Sequence, residues 1–229
     1  MQEIDVFARI IADHGPPENA RLVPSETADA FRDRLPPELL ASWRRYGWGD
    51  YNEGFLRICD PRPLDPIISL IFRDDSELKA AELTVVAYTL FNTLRVWDRA
   101  GRTILIHLDE AEVFAPSYSS TINPDTQRPY SNAFLAGLLI YDELSLELQD
   151  YYKNACAKLG RPDPDQVFGY APALQLGGEW GLDHLHRFKA IEHMTFLAQL
   201  GPLTLTELTG PQPDAPLGRL RRVRRIGPP

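Results

Sequence analysis

A chain of 229 residues with 44% hydrophobic, 10% aromatic and 24% charged side chains has the composition of a folded globular protein, one large domain or two small ones, and excludes wholesale disorder. No apolar run approaches the ~18 residues that a membrane span requires, and the start Met-Gln-Glu-Ile-Asp-Val-Phe lacks the basic region of a signal peptide, so the expected location is the cytoplasm. The net charge of -8 hides an asymmetry: without Arg219, Arg221, Arg222, Arg224 and Arg225, residues 1–217 carry 19 basic against 32 acidic groups, a balance of -13. An acidic body disfavours nucleic acid and favours a basic partner through electrostatic steering.

In chain order, the first forty-odd residues read as helices, with Val6, Ile10 and Ile11 on one face of the first and Pro24-Ser25 opening the second. A third starts at Leu35-Pro-Pro-Glu38, where proline in the first turn sacrifices no hydrogen bond, and ends at Gly47. Trp48-Gly-Asp-Tyr-Asn-Glu-Gly54 reads as a turn-rich loop that exposes Trp48 and Tyr51, whereas Trp43, at helical spacing, reads as core. Residues 55–59 suggest a short strand and 64–72 a helix with Pro66 in its first turn. From Leu83 the period changes. Residues 83–90, 94–97, 103–107 and 112–114 are rich in β-branched and aromatic side chains, with Asp98-Arg-Ala-Gly101 as a hairpin turn, and predict an antiparallel meander.

Residues 116–131 are polar and turn-prone, the best candidate linker. Beyond it, 132–139 is helix-like and 142–159 predicts a longer helix closed by Gly160 and Pro162. A final helix is expected from about Lys189 to Leu200, with a strand as the other reading of residues 185–191. The chain then becomes Pro-, Gly- and Arg-rich, which predicts a flexible basic tail. The fold class expected is α+β: N-terminal helices packed on an antiparallel β-meander (1–115), the linker (116–131), a smaller mixed helical C-terminal domain (132–208) and the tail (209–229).

Catalytic equipment is hard to find. Cys59 and Cys156 have no CxxC spacing, and GxSxG, GxGxxG and GxxxxGK[ST] are all absent. His184, His186, Glu192 and His193 are metal-capable, but His186 and His193 lie two helical turns apart, too far for one ion to bridge. The double glycine Gly177-Gly178 needs no more than a turn with positive φ. No catalytic, cofactor-binding or metal-binding residue is therefore assigned, and no cofactor is expected.

Several segments resemble one bacterial family: Leu35-Pro-Pro-Glu-Leu-Leu-Ala-Ser-Trp43, Tyr46-Gly-Trp48, Thr93-Leu-Arg-Val-Trp97, Phe168-Gly-Tyr-Ala-Pro-Ala-Leu174, Leu176-Gly-Gly178, Ile191-Glu-His193 and Leu197-Ala-Gln-Leu200. They are similar, in order, to proteins that join a GAD-like domain to a Tdi-type C-terminal immunity domain. The resemblance implies a non-enzymatic immunity protein of the type VI secretion system, whose partner is a cognate DNase toxin. Contact with the toxin is expected from acids and aromatics on loops: Asp50, Tyr51, Glu53, Glu179, Trp180 and Asp183. Two other readings stand beside it: a regulatory nucleic-acid binder working weakly through the Arg219 to Arg225 tail, and a metal-dependent hydrolase using His184, His186 and His193.

Overall fold

The computed structural model describes residues 6–99, 103–116, 122–123, 128–129, 146–208 and 220–227. Its centre is a nine-stranded sheet in the order β1-β2-β3-β4-β5-β6-β7-β12-β13. The strands are β1 (Glu18–Arg21), β2 (Trp48–Tyr51), β3 (Leu56–Ile58), β4 (Leu83–Thr89), β5 (Thr93–Asp98), β6 (Thr103–His107), β7 (Glu112–Pro116), β12 (Thr204–Leu208) and β13 (Leu220–Arg225). All neighbours are antiparallel except β7 and β12, which run parallel from Thr204 opposite Glu112 to Leu208 opposite Pro116. Outside this sheet, β8 (Ile122–Asn123) pairs with β9 (Arg128–Pro129), and β10 (Gln166–Tyr170) pairs with β11 (Leu185–Lys189). Six α-helices are described: α1 (Val6–His14), α2 (Ser25–Asp29), α3 (Pro37–Tyr46), α4 (Asp65–Ile71), α5 (Leu146–Leu159) and α6 (Ala190–Gln199).

The meander strands β4 to β7 stand where β-branched periodicity places them, and α3 begins at Pro37 and is capped by Gly47 at φ 85°. The hairpin turn after Asp98 and the helix-like run 132–139 fall largely or wholly outside the described residues. One face of the sheet is covered by α1 to α3, which bury Phe7, Ile10, Leu39 and Trp43 against Leu56, Ile58, Val86 and Trp97. The other is covered by α4, α5, α6 and the β10–β11 hairpin, with Ile68, Ala155, Phe168 and Leu197 packed against Val85, Val96, Ile106 and Val113. A bulge between Val85 and Ala87 turns Val86 and Ala87 together toward the first layer while Tyr88 returns to the second. Both faces are buried, so every residue of β4 is buried, Thr84 and Thr89 included.

Two expectations change here. The smaller C-terminal part does not stand alone: β12 extends the sheet from β7, and the hairpin and α6 cover its second face. Nor is all of the arginine-rich end a flexible tail, because Leu220–Arg225 is strand β13, paired with β12. The physical reason is Asp75, 1% exposed. It accepts hydrogen bonds from Arg224 Nη1 at 2.6 Å and Nη2 at 2.9 Å, from the Gly227 amide at 3.0 Å, and from the amides of Leu78 and Glu77. Burial alone would raise this carboxyl, but the five donors hold it far below the usual carboxylate range. Arg224→Ala is expected to destabilise the protein by about 2–4 kcal/mol, since it strands a buried carboxylate, and to raise amide exchange throughout 220–227. Unchanged exchange there would show that pairing with β12 holds β13 unaided.

Candidate functional site

The C-terminal elements are seated on the sheet by polar contacts at two places. At the first, Arg57 of β3, 3% exposed, donates from Nε to Asp50 Oδ1 at 2.7 Å, from Nη1 to the Gln166 carbonyl and from Nη2 to the Pro162 carbonyl at 3.2 Å. Asp50 also accepts from Asn19 Nδ2 at 2.9 Å, and Arg161 reaches Glu18 at 2.8 Å. At the second, Asn92, in the β4–β5 turn at φ 56°, donates from Nδ2 to Asp109 Oδ2 at 2.8 Å and to the Phe168 carbonyl at 2.7 Å. The Phe168 amide meanwhile donates to Leu90 O at 2.9 Å. The hairpin is thereby fixed to β3 and to the β4–β5 turn.

These contacts change the reading of the first candidate segment. Trp48–Tyr51 is a strand between β1 and β3, not an exposed loop. Asp50 is 5% exposed and Tyr51 1%, with the Tyr51 hydroxyl donating to Gly47 O at 2.9 Å. Gly49 explains the misleading turn signal, since a Cβ there would come within 2.9 Å of the β1 backbone. Glu53 remains exposed, in a one-turn 3-10 helix at φ 53°, and its carbonyl accepts from Tyr152 OH at 3.0 Å.

The second candidate segment is at the surface as expected. Leu174–Leu176 is a 3-10 turn ended by Gly177 at φ 84°, and a Cβ on Gly178 would fall 1.9 Å from Pro172 O, so both glycines are required. The loop that follows displays Trp180, 59% exposed, with its ring against Tyr170 at 5.0 Å and Tyr151 at 6.4 Å. Asp183 pairs with Lys158, which keeps its carboxyl below the ordinary range, and Glu179 lies 3.7 Å from His184. Because Tyr152 contacts Glu53 and Tyr151 contacts Trp180, adjacent residues of α5 link the two exposed candidate segments.

The histidines do not converge on an ion. His193 is buried against Phe188, while His186 is exposed on β11; among the described residues no group of three metal-capable side chains could hold a metal. The sequence reading missed an apolar cavity of about 430 Å³ between the hairpin and α6, lined by Tyr170, Pro172, Leu176, Phe188, His193 and Phe196 among others.

A sheet covered on both faces, with a C-terminal hairpin, a helix and an exposed acid-and-aromatic loop, defines a mixed α/β protein. Residues 5–110 match the GAD-like domain, and residues 140–201 match the C-terminal domain of the type VI secretion immunity protein Tdi1. The chain belongs to the Tdi-type immunity proteins of type VI secretion. The crystal structure of Atu4351 from Agrobacterium tumefaciens has a similar fold, with a TM-score of 0.79 and 21% identity over 94% of this chain and 96% of that one. No curated protein sequence matches this chain significantly. No described helix is long and apolar enough to cross a membrane.

Proposed function

We propose that this immunity protein binds a DNase toxin in the cytoplasm and neutralises it by covering the toxin's basic DNA-binding or active-site surface, without catalysis and without a cofactor. The observation that carries the reading lies inside the immunity-domain match: Glu179 and Asp183, with side chains 82% and 90% exposed, flank Trp180 on a loop anchored by Tyr151 and Tyr170. Acids around an aromatic anchor suit a basic protein surface, because the charges steer encounter and the ring supplies contact area at low entropic cost. The balance of -13 over residues 1–217 works in the same direction. A surface that grips DNA must be basic, so an acidic inhibitor docked on it excludes the substrate.

The test is co-expression with a type VI secretion DNase toxin. Growth should be restored, and continued DNA degradation in the presence of folded protein overturns the reading. For the purified pair, Glu179→Lys with Asp183→Lys should lower the association rate about tenfold at low salt and reduce its salt dependence, with little change in stability because both side chains are exposed. An unaltered rate would move the acidic contact elsewhere.

A further inference from the structure

The cavity between the hairpin and α6 is built unlike the rest of the surface. Its floor is Tyr170, Ala173 and His193, at 2%, 5% and 6% exposure. The His193 ring lies parallel to Phe188 with centroids 4.4 Å apart and 6° between planes, and Phe196 continues the wall at 6.3 Å and 28°. Gly169 makes this possible, since a Cβ at that position would lie 2.1 Å from His193 Nε2. That nitrogen is buried without a hydrogen-bond partner, and burial pushes the imidazole down to about 4, so the ring is neutral at physiological pH. It acts as an aromatic surface rather than as a base.

A volume of about 430 Å³ is at the lower end of ligand-sized cavities and is ample for one large side chain. The mouth is apolar where a folded protein gains nothing from being so. Of the seven large apolar side chains exposed in the described residues, Leu176 and Phe196 line this cavity, and Trp180 packs its ring on Tyr170 of the floor. Three exposed apolar side chains around one cavity mark a surface built for contact rather than scattered exposure.

Charge at the mouth selects the occupant. Lys189 is bonded to Asp165 and also feels the carboxylate of Glu192, exposed on α6, so two acids stand against one lysine at the mouth. An incoming group is therefore favoured if it carries a cation beside its apolar part. We propose that this pocket receives a large apolar side chain, aromatic by preference, flanked by arginine or lysine and presented by the toxin. The identity of the donor rests on the neutralisation reading above. The chemistry of the occupant rests on the pocket alone.

The experiment has two arms. In the first, the isotope-labelled full chain is titrated with Ac-Arg-Trp-Arg-amide and, separately, with Ac-Glu-Trp-Glu-amide, followed by amide chemical shifts. The basic peptide should perturb residues 188–196 and bind at least threefold more tightly at low salt. Leu176→Asp combined with Phe196→Asp should abolish this while leaving shifts outside the pocket in place. Equal binding of the two peptides, no binding, or perturbations centred elsewhere overturns the proposal, as does displacement of the basic peptide only by an uncharged aromatic solute, which would mark a small-molecule pocket. In the second arm, the toxin of the co-expression test is bound by wild type, by Phe196→Asp and by Leu22→Asp, an exposed apolar position outside the pocket. Phe196→Asp should lose at least thirtyfold in affinity and Leu22→Asp should lose none. If wild type neutralises the toxin and Phe196→Asp does so equally, the pocket proposal fails and the neutralisation reading stands. If wild type fails to neutralise while the basic peptide still occupies the pocket, the reverse holds.

Discussion

Arg57→Ala should destabilise the protein by about 3–5 kcal/mol, the cost of removing one partner from a buried ion pair, measured as a shift in the denaturation midpoint. The loss is large because Arg57 acts three times. It neutralises Asp50, which is 5% exposed, and it satisfies the carbonyls of Gln166 and Pro162 from the C-terminal part. Arg57→Lys should recover little of the loss, since one ammonium cannot reproduce the guanidinium fork that serves three acceptors in different directions. The neighbouring Arg161–Glu18 pair is the internal comparison. The Glu18 side chain is 58% exposed, so Glu18→Ala should cost no more than about 1 kcal/mol. Similar losses for Arg57→Ala and Glu18→Ala would mean that Arg57 is not what fastens the hairpin to β3. Protection against the toxin at elevated temperature should fall with Arg57→Ala even though the residue is remote from the exposed loop.

Asp109→Asn should stabilise the protein most at pH 8 and much less at pH 5. Asp109 is 4% exposed, and its Oδ2 accepts from Asn92 while Oδ1 has no hydrogen-bond partner. Burial pushes its carboxyl up to about 7, opposed by the Asn92 hydrogen bond and aided by Glu110. In the unfolded chain the same group titrates near 3.9. Between these values the folded state holds a proton that the unfolded state releases, so stability falls as pH rises from about 4 to about 7, and the full penalty persists above. With about 1.4 kcal/mol per pH unit, the penalty is on the order of a few kcal/mol. In a chain of this length a gain of about 2 kcal/mol raises the melting temperature by roughly 4–8 °C. Melting curves at pH 5 and pH 8 decide the matter, and parallel pH profiles for wild type and variant would refute the assignment.

What could be read from residue order follows from the range of the forces involved. The meander was legible because β-branched and aromatic runs specify strands locally, and α3 because Pro37 and Gly47 mark its ends. The Trp48–Tyr51 strand was not, since its glycine and aspartate resemble a turn while its pairing with β1 and β3 is tertiary. Asp50 and Tyr51 were misjudged for the same reason: an acid beside an aromatic reads as surface until Arg57 and Asn19 are seen around it. β13 was hidden by composition, as its order depends on Asp75, about 150 residues earlier in the chain. The surface position of Glu179, Trp180 and Asp183 was legible because glycine turns place their loop outside the core. The adjoining cavity was not, because it exists only once β10, β11 and α6 have packed together.

The parallel pairing of β12 with β7 also has a kinetic meaning. From Pro116 to Thr204 the chain must lengthen by 88 residues before the edge of β7 can be closed, which at about 5–20 residues per second of synthesis takes roughly 5–20 s. Throughout that interval the emerging protein carries an open strand edge, and for most of it a second sheet face without its hairpin and α6, the conditions under which nascent chains aggregate or recruit chaperones.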